Sequence, residues 1–169
     1  MPRNLEFKAK INEIVALEEA FKRDGASFVE ILEQTDTYFV VPRGRLKLRE
    51  ATGKKAELIF YERDESSPEE MRSLYDVVPA DLGMGEVLSK ALGVKVVVSK
   101  KRRLLMLKNA RIHLDAVDGL GAYLEFEVMS QGDDAGDAIL LDRLKRIAAP
   151  FVEREINVSY SDLITLTRG

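Results

Sequence analysis

The chain has 169 residues, 46% of them hydrophobic and 33% charged, a balance typical of one globular domain with a sizeable core. It contains no cysteine, which excludes disulfides and thiolate metal sites. Residues 1–6 lack the apolar run of a signal peptide, and no segment approaches the length of a membrane span. We therefore predict a single domain over residues 1–169 in a cytoplasmic protein.

Polar and apolar residues alternate along most of the chain, which predicts strands. Residues 4–10 show the pattern first, and Asn12 is then predicted to cap a helix that runs to about Asp24. Further strands are predicted at 34–41, 45–49, 56–63, 71–78 and 94–107, and as the two arms of a hairpin within 111–128. Two more helices are predicted, over about 79–92 and 137–149, with a polar loop at 64–70.

Short turns join most successive strands. This arrangement favours an antiparallel sheet with helices packed outside, an α+β architecture. The tail at 159–163 is expected to dock back on the body.

The predicted strands collect charged side chains on one face and apolar side chains on the other. Four carboxylates share the polar faces: Glu6, Asp115, Glu125 and Glu127. Eight cations share them as well: Lys8, Lys10, Arg45, Lys47, Arg49, Lys100, Arg102 and Arg111. These faces thus carry an excess of four positive charges, although the whole chain carries −3.

A charged face on one strand is ordinarily exposed to solvent. Here the pattern recurs on many strands whose opposite faces are apolar and suited to packing under helices. A curved or closed sheet would then enclose the charges as a binding cavity. Such a cavity suits a phosphate polyanion bound together with a divalent cation.

Several motifs resemble those of the CYTH proteins, also called triphosphate tunnel metalloenzymes. They lie in the family's order at residues 4–8 (Asn-Leu-Glu-Phe-Lys), 36–39, 44–49, 100–102, 111–115, 119–121 and 125–127. The segment 159–163 resembles the class IV adenylyl cyclase-like branch. The resemblance implies an eight-stranded antiparallel β-barrel that forms a tunnel, with helices outside.

The resemblance also implies the site. Mg²⁺ or Mn²⁺ would be held by Glu6, Glu125 and Glu127, and the catalytic residues would be Glu6, Lys8, Asp115 and Glu127. The substrate-binding residues would be Lys8, Arg45, Lys47, Arg49, Lys100, Arg102 and Arg111. Asn4 stands where the family signature has a glutamate, which replaces a charged ligand by a neutral amide. His113, the only histidine, is interpreted as a structural or ligand-contacting residue.

The implied function is that of a metal-dependent enzyme acting on a triphosphate, with conversion of ATP to cyclic AMP and pyrophosphate favoured. The alternatives are hydrolysis of tripolyphosphate or thiamine triphosphate, and a protein that binds polyphosphate or nucleotide without catalysis. Carboxylates among the cations disfavour a nucleic-acid ligand, because they repel a phosphodiester chain. No membrane partner is expected, and a homodimer is compatible with the sequence.

Overall fold

The structure, a computed structural model, describes residues 3–64 and 71–168. Its strands are β1 (Arg3–Ile11), β2 (Ser27–Phe39), β3 (Arg45–Ala51), β4 (Glu57–Asp64), β5 (Met71–Pro79), β6 (Val94–Leu107), β7 (Ala110–Val117), β8 (Gly121–Met129) and β9 (Val152–Ile156). Its helices are α1 (Val15–Arg23), α2 (Met84–Leu92), α3 (Asp134–Ala148) and α4 (Tyr160–Arg168). Within these ranges, no helix has both the length and the apolar character needed to span a membrane.

All the strands belong to one antiparallel sheet in the order β5-β4-β3-β2-β6-β7-β8-β1-β9. The predicted α+β class and antiparallel pairing are therefore confirmed. The described sheet has nine strands, one more than expected, because Val152–Ile156 adds a strand to β1. β5 also pairs with β1 over four positions, from Arg3 opposite Leu74 to Glu6 opposite Met71.

The outer face of the sheet is apolar and lies under α1 and α3. Phe7 of β1 and Phe126 of β8 stack with ring centroids 5.8 Å apart, and Phe21 of α1 meets Phe126 edge-on at 5.6 Å. Phe21, Phe126 and Leu144 of α3 have no exposed surface. Because successive strand residues point to opposite faces, this packing turns the charged residues between them toward the inner face.

The predicted helices differ from the structure at their N-termini. Helix α1 starts at Val15, and the Glu13 carboxylate, not Asn12, accepts hydrogen bonds from the first free N–H groups, at 2.8 Å each. Helix α2 starts at Met84 and not at Pro79, because β5 continues to Pro79 and the chain turns at Gly83, with φ at 90°.

Two predictions concern segments outside the predicted strands and helices. The tail at 159–163 does dock on the body, as the first turn of α4. The predicted polar loop at 64–70 lies, apart from Asp64, outside the described residues.

Candidate active site

The inner face of the sheet lines a cavity of about 150 Å³ that gathers charges of both signs. Its cationic side chains are Lys8, Lys47, Arg49, Lys100, Arg102 and Arg111. Its carboxylates are Glu6, Glu125 and Glu127. Residues far apart in sequence thus meet in one cavity, because the strands that carry them are neighbours in the sheet.

Asp36 of β2 organises half of the cations. Its carboxylate accepts two hydrogen bonds from Arg49, both at 2.8 Å, one from Lys47 at 3.0 Å and one from Lys100 at 3.1 Å. Asp36 is fully buried. Burial raises the pKa of Asp36, but the charges of Lys100, Lys47 and Arg49 outweigh it and hold the pKa well below its usual value.

Lys100 is the cation most affected by this crowding. Burial lowers its pKa to about 7, and the charges of Arg102, Arg49 and Lys47 act in the same direction, while Asp36 opposes them. One cation of the cavity therefore changes its protonation near neutral pH.

A second buried carboxylate, Asp115 of β7, positions Arg102. The Arg102 guanidinium donates two hydrogen bonds of 2.8 Å to the two oxygens of Asp115. The hydroxyl of Tyr160, from α4, donates to Asp115 Oδ2 at 2.7 Å, and the Tyr160 ring lies 4.3 Å below Lys8 Nζ. The first residue of α4 therefore forms part of the cavity wall, beside the cations.

Glu125 and Glu127 form a carboxylate pair on β8. His113 Nδ1 lies 3.3 Å from Glu125 Oε1 and 3.7 Å from Glu127 Oε1. Lys8 Nζ lies 3.2 Å from Glu125 Oε2, and Arg111 Nη1 lies 3.5 Å from Glu127 Oε2. One ligand atom from each of His113, Glu125 and Glu127 can be chosen so that all three lie within 4.8 Å of one another.

The two carboxylates differ in charge environment. Burial raises the pKa of Glu125, but Lys8, a hydrogen bond with His113 and the charge of Arg102 outweigh it and hold the pKa well below its usual value. For Glu127, burial is the main cause of a raised pKa; the charge of Glu125 adds to it, and His113 opposes it. A bound cation would relieve this repulsion, so the oxygen and nitrogen donors present fit Mg²⁺ or Mn²⁺.

β1 brings two further oxygen donors to this end of the cavity. Glu6 lies directly opposite Glu127 in the pairing of β1 with β8, and its charge contributes to the raised pKa of Glu127. Asn4 lines the cavity too, and its Oδ1 is buried with no hydrogen-bond partner among the residues the structure describes. An amide oxygen can ligate a hard cation, although it brings no charge.

Some predicted substrate-binding and catalytic residues do not line this cavity. The Arg45 guanidinium pairs with Asp162 of α4 at 3.1 Å. Asp115 lies behind Arg102, with both oxygens engaged. Lys10, from the charged faces, donates to the Leu120 carbonyl at 3.0 Å, at the turn between β7 and β8.

Asp36 and Tyr160 are site residues that strand alternation does not single out. Asp36 belongs to the motif at 36–39, but no other charged residue shares its strand face there, and Tyr160 belongs to the segment 159–163, which is not a strand. The signal that could have found Asp36 is its place two residues before Tyr38 on the inner face of β2, opposite Arg49 of β3.

The CYTH domain family model matches residues 2–160. The chain belongs to the CYTH family. The matched range includes all nine described strands and helices α1 to α3.

Solved structures share this fold. The PH1012 protein of Pyrococcus horikoshii OT3 has a TM-score of 0.79 at 26% identity, with 95% of this chain and 98% of that chain covered. A candidate adenylate cyclase of Vibrio parahaemolyticus has a TM-score of 0.73 at 20% identity, with 96% of this chain and 97% of that chain covered. A candidate adenylyl cyclase of Hippeastrum with a dominant triphosphatase activity has a TM-score of 0.65 at 13% identity, with 97% of this chain and 96% of that chain covered. At these low identities, the last two similarities show a shared fold alone. The search of curated proteins found no match.

Proposed function

We propose that this CYTH protein is a metal-dependent enzyme that acts on a triphosphate substrate. The observation that carries the proposal is the cavity itself, where six cations and three carboxylates line one small space. The cations can neutralise a chain of phosphates, and arginine can do so through paired hydrogen bonds. The carboxylates would repel such a chain unless a cation lies between them.

The chain's own residues have distinct parts in this proposal. Glu6, Glu125 and Glu127 would hold Mg²⁺ or Mn²⁺, with His113 at their side, and the ion would supply positive charge to the phosphate oxygens. Lys8, Lys47, Arg49, Lys100, Arg102 and Arg111 bind and orient the phosphates. Asp36 and Asp115 position these cations, so we assign Asp115 a positioning role. Arg45 holds α4 through Asp162.

The proposed cavity is the interior of a tunnel formed by β1–β8. This proposal is supported by the pairing of β5 with both β4 and β1, which gives each of these eight strands two neighbours. Tyr160 lies beside the cations at one end of the tunnel, where α4 packs.

For the reaction, we propose the class IV adenylyl cyclase-like conversion of ATP. The ribose 3′-hydroxyl would lose its proton to solvent and its oxygen would bond to the α-phosphorus, while the bond from the α-phosphorus to the bridging oxygen breaks and pyrophosphate leaves. Hydrolysis of tripolyphosphate or thiamine triphosphate is the second candidate, because the six cations of the lining can bind phosphates whatever group is attached to them. The same bound phosphates serve either nucleophile.

Product analysis separates these reactions. The protein is incubated with Mg²⁺ or Mn²⁺ and ATP, thiamine triphosphate or tripolyphosphate, and the products are followed by ³¹P NMR. Cyclic AMP with pyrophosphate is the result expected from the first proposal, and orthophosphate would assign a phosphohydrolase. Tight binding of these compounds without any product would indicate a ligand-binding protein and not an enzyme.

Removing a cavity cation is expected to weaken triphosphate binding. Arg111→Ala should raise the Kd for tripolyphosphate by about 10- to 150-fold, the equivalent of about 1.5–3 kcal/mol for a charged hydrogen bond. Arg143→Ala is the matched control, because its side chain is similarly exposed, at 35% against 42%, but pairs with Asp24 outside the cavity lining. Calorimetric titration measures both, and equal effects would contradict the assigned lining.

Binding should also take up a proton near pH 8. Free Lys100, with a pKa of about 7, is mostly neutral there, and a bound polyanion favours its protonated form. Wild type should therefore take up as much as about one proton more than Lys100→Arg, whose guanidinium stays charged. Titrations in buffers of different ionisation enthalpy give the difference, and equal uptake would show that Lys100 is already charged.

A further inference from the structure

A second chamber adjoins the charged cavity where β2 begins and β3 ends. It has a volume of about 460 Å³, and Arg49 and Val77 line both spaces. Alternation along β2 places Leu32 and Gln34 on the same face as Asp36, so this chamber lies along the inner face of the sheet beside the charged cavity, with Arg49 lining both. The second volume lies within the roughly 300–1,000 Å³ typical of small-molecule sites.

The lining of this second chamber differs in character from the charged cavity. Its inner wall is apolar and consists of Leu32, Ala51, Val77 and Pro79. Charged side chains of both signs also reach it: the largely buried Arg49, and the more exposed Glu30, Lys54, Lys55 and Glu57, of which Lys54 pairs with Glu30 at 2.9 Å. A flat, largely apolar group would cover the four apolar side chains and remove them from water.

Gln34 is the polar exception in that wall. It is 6% exposed, and its Oε1 has no hydrogen-bond partner among the described residues. Buried polar groups are nearly always hydrogen-bonded, so an unpaired amide oxygen beside a cavity indicates a ligand that completes it. A glutamine amide presents one acceptor and one donor group side by side.

That pattern matches one nucleobase edge. Adenine offers the N6 amino donor beside the N7 acceptor, and glutamine pairs with both. Guanine offers two acceptors, O6 and N7, on the corresponding edge, so one of them would face the amide oxygen. Inorganic tripolyphosphate carries no base that could pair with Gln34 in this chamber.

We propose that the second chamber, lined by Leu32, Ala51, Val77 and Pro79, binds the adenine ring of a nucleoside triphosphate, with Gln34 as the specificity-determining residue. The inference rests on the proposed function, because the phosphates must lie beyond Arg49 for the ring to lie here. It adds to the proposed function the residue that distinguishes an adenosine triphosphate from a guanosine triphosphate.

Binding without turnover tests the assignment. ATP, GTP and tripolyphosphate are titrated as analogues whose phosphates are joined by methylene bridges, so that Mg²⁺ can be present without turnover. Each is titrated into wild type and into Gln34→Met, which keeps the side-chain volume and removes the amide. Wild type should bind ATP about tenfold or more tightly than GTP. Gln34→Met should bring ATP to the level of GTP and leave tripolyphosphate within about twofold, which also shows that the variant is folded.

A second measurement locates the ring directly. Nuclear Overhauser contacts are expected from the adenine H2 and H8 protons to the methyl groups of Val77 and Leu32. Equal affinities of wild type for ATP and GTP, or adenine contacts to residues outside this chamber, would overturn this inference. The proposed function would still be supported in that case if wild type binds tripolyphosphate. Failure of wild type to bind any of the three ligands would overturn both.

Discussion

Glu127→Gln is expected to reduce metal-dependent turnover by at least about 100-fold, since a bound cation supplies several kcal/mol of charge stabilisation. The change removes a charge and keeps the shape, so the fold should persist. Turnover of ATP and tripolyphosphate is measured over a range of Mn²⁺ concentrations, with circular dichroism as the check on folding.

The same variant should be slightly more stable than wild type when no metal is present. Burial and the charge of Glu125 disfavour ionised Glu127, and glutamine removes that charge. Glu155→Gln, on the exposed face of β9, is the matched control and should change neither property. Undiminished turnover in folded Glu127→Gln would show that Glu127 is no part of the metal site.

Asp36→Asn is expected to lower the free energy of unfolding by about 3–5 kcal/mol, because it leaves buried cations without their counter-charge. Lys100 can lose its proton in response, but Arg49 cannot. The loss is measured by urea denaturation of wild type and variant. Asp118→Asn, at an exposed position after β7, provides the control and should change stability little.

An anion in the cavity should restore part of that stability. Tripolyphosphate binds the folded state and replaces the missing negative charge, so its stabilising effect should be larger for Asp36→Asn than for wild type. If Asp36→Asn unfolds within about 1 kcal/mol of wild type, the three cations do not depend on Asp36.

The strands were the part of this protein that could be predicted from sequence. Period-two alternation reports which side chains share a face, so residues 4–10 and 125–127 revealed a charged face opposite an apolar one. The carboxylate pair Glu125 and Glu127 followed from that spacing alone. The strand at 152–156 was missed because five residues with three exposed charges resemble a loop.

The partners of those charges depended on tertiary structure. Asp36 binds Lys100 across 64 positions, and Tyr160 binds Asp115 across 45. Alternation predicts that a residue points inward, but strand order and register decide which residue it meets there. The sequence by itself therefore determined the charged inner face and its carboxylate pair. Strand order and register decided which cations are paired with Asp36 or Asp115, and why Arg45 pairs with Asp162 and does not line the cavity. They also decided where the second chamber opens, because all these features depend on contacts between residues distant in the chain.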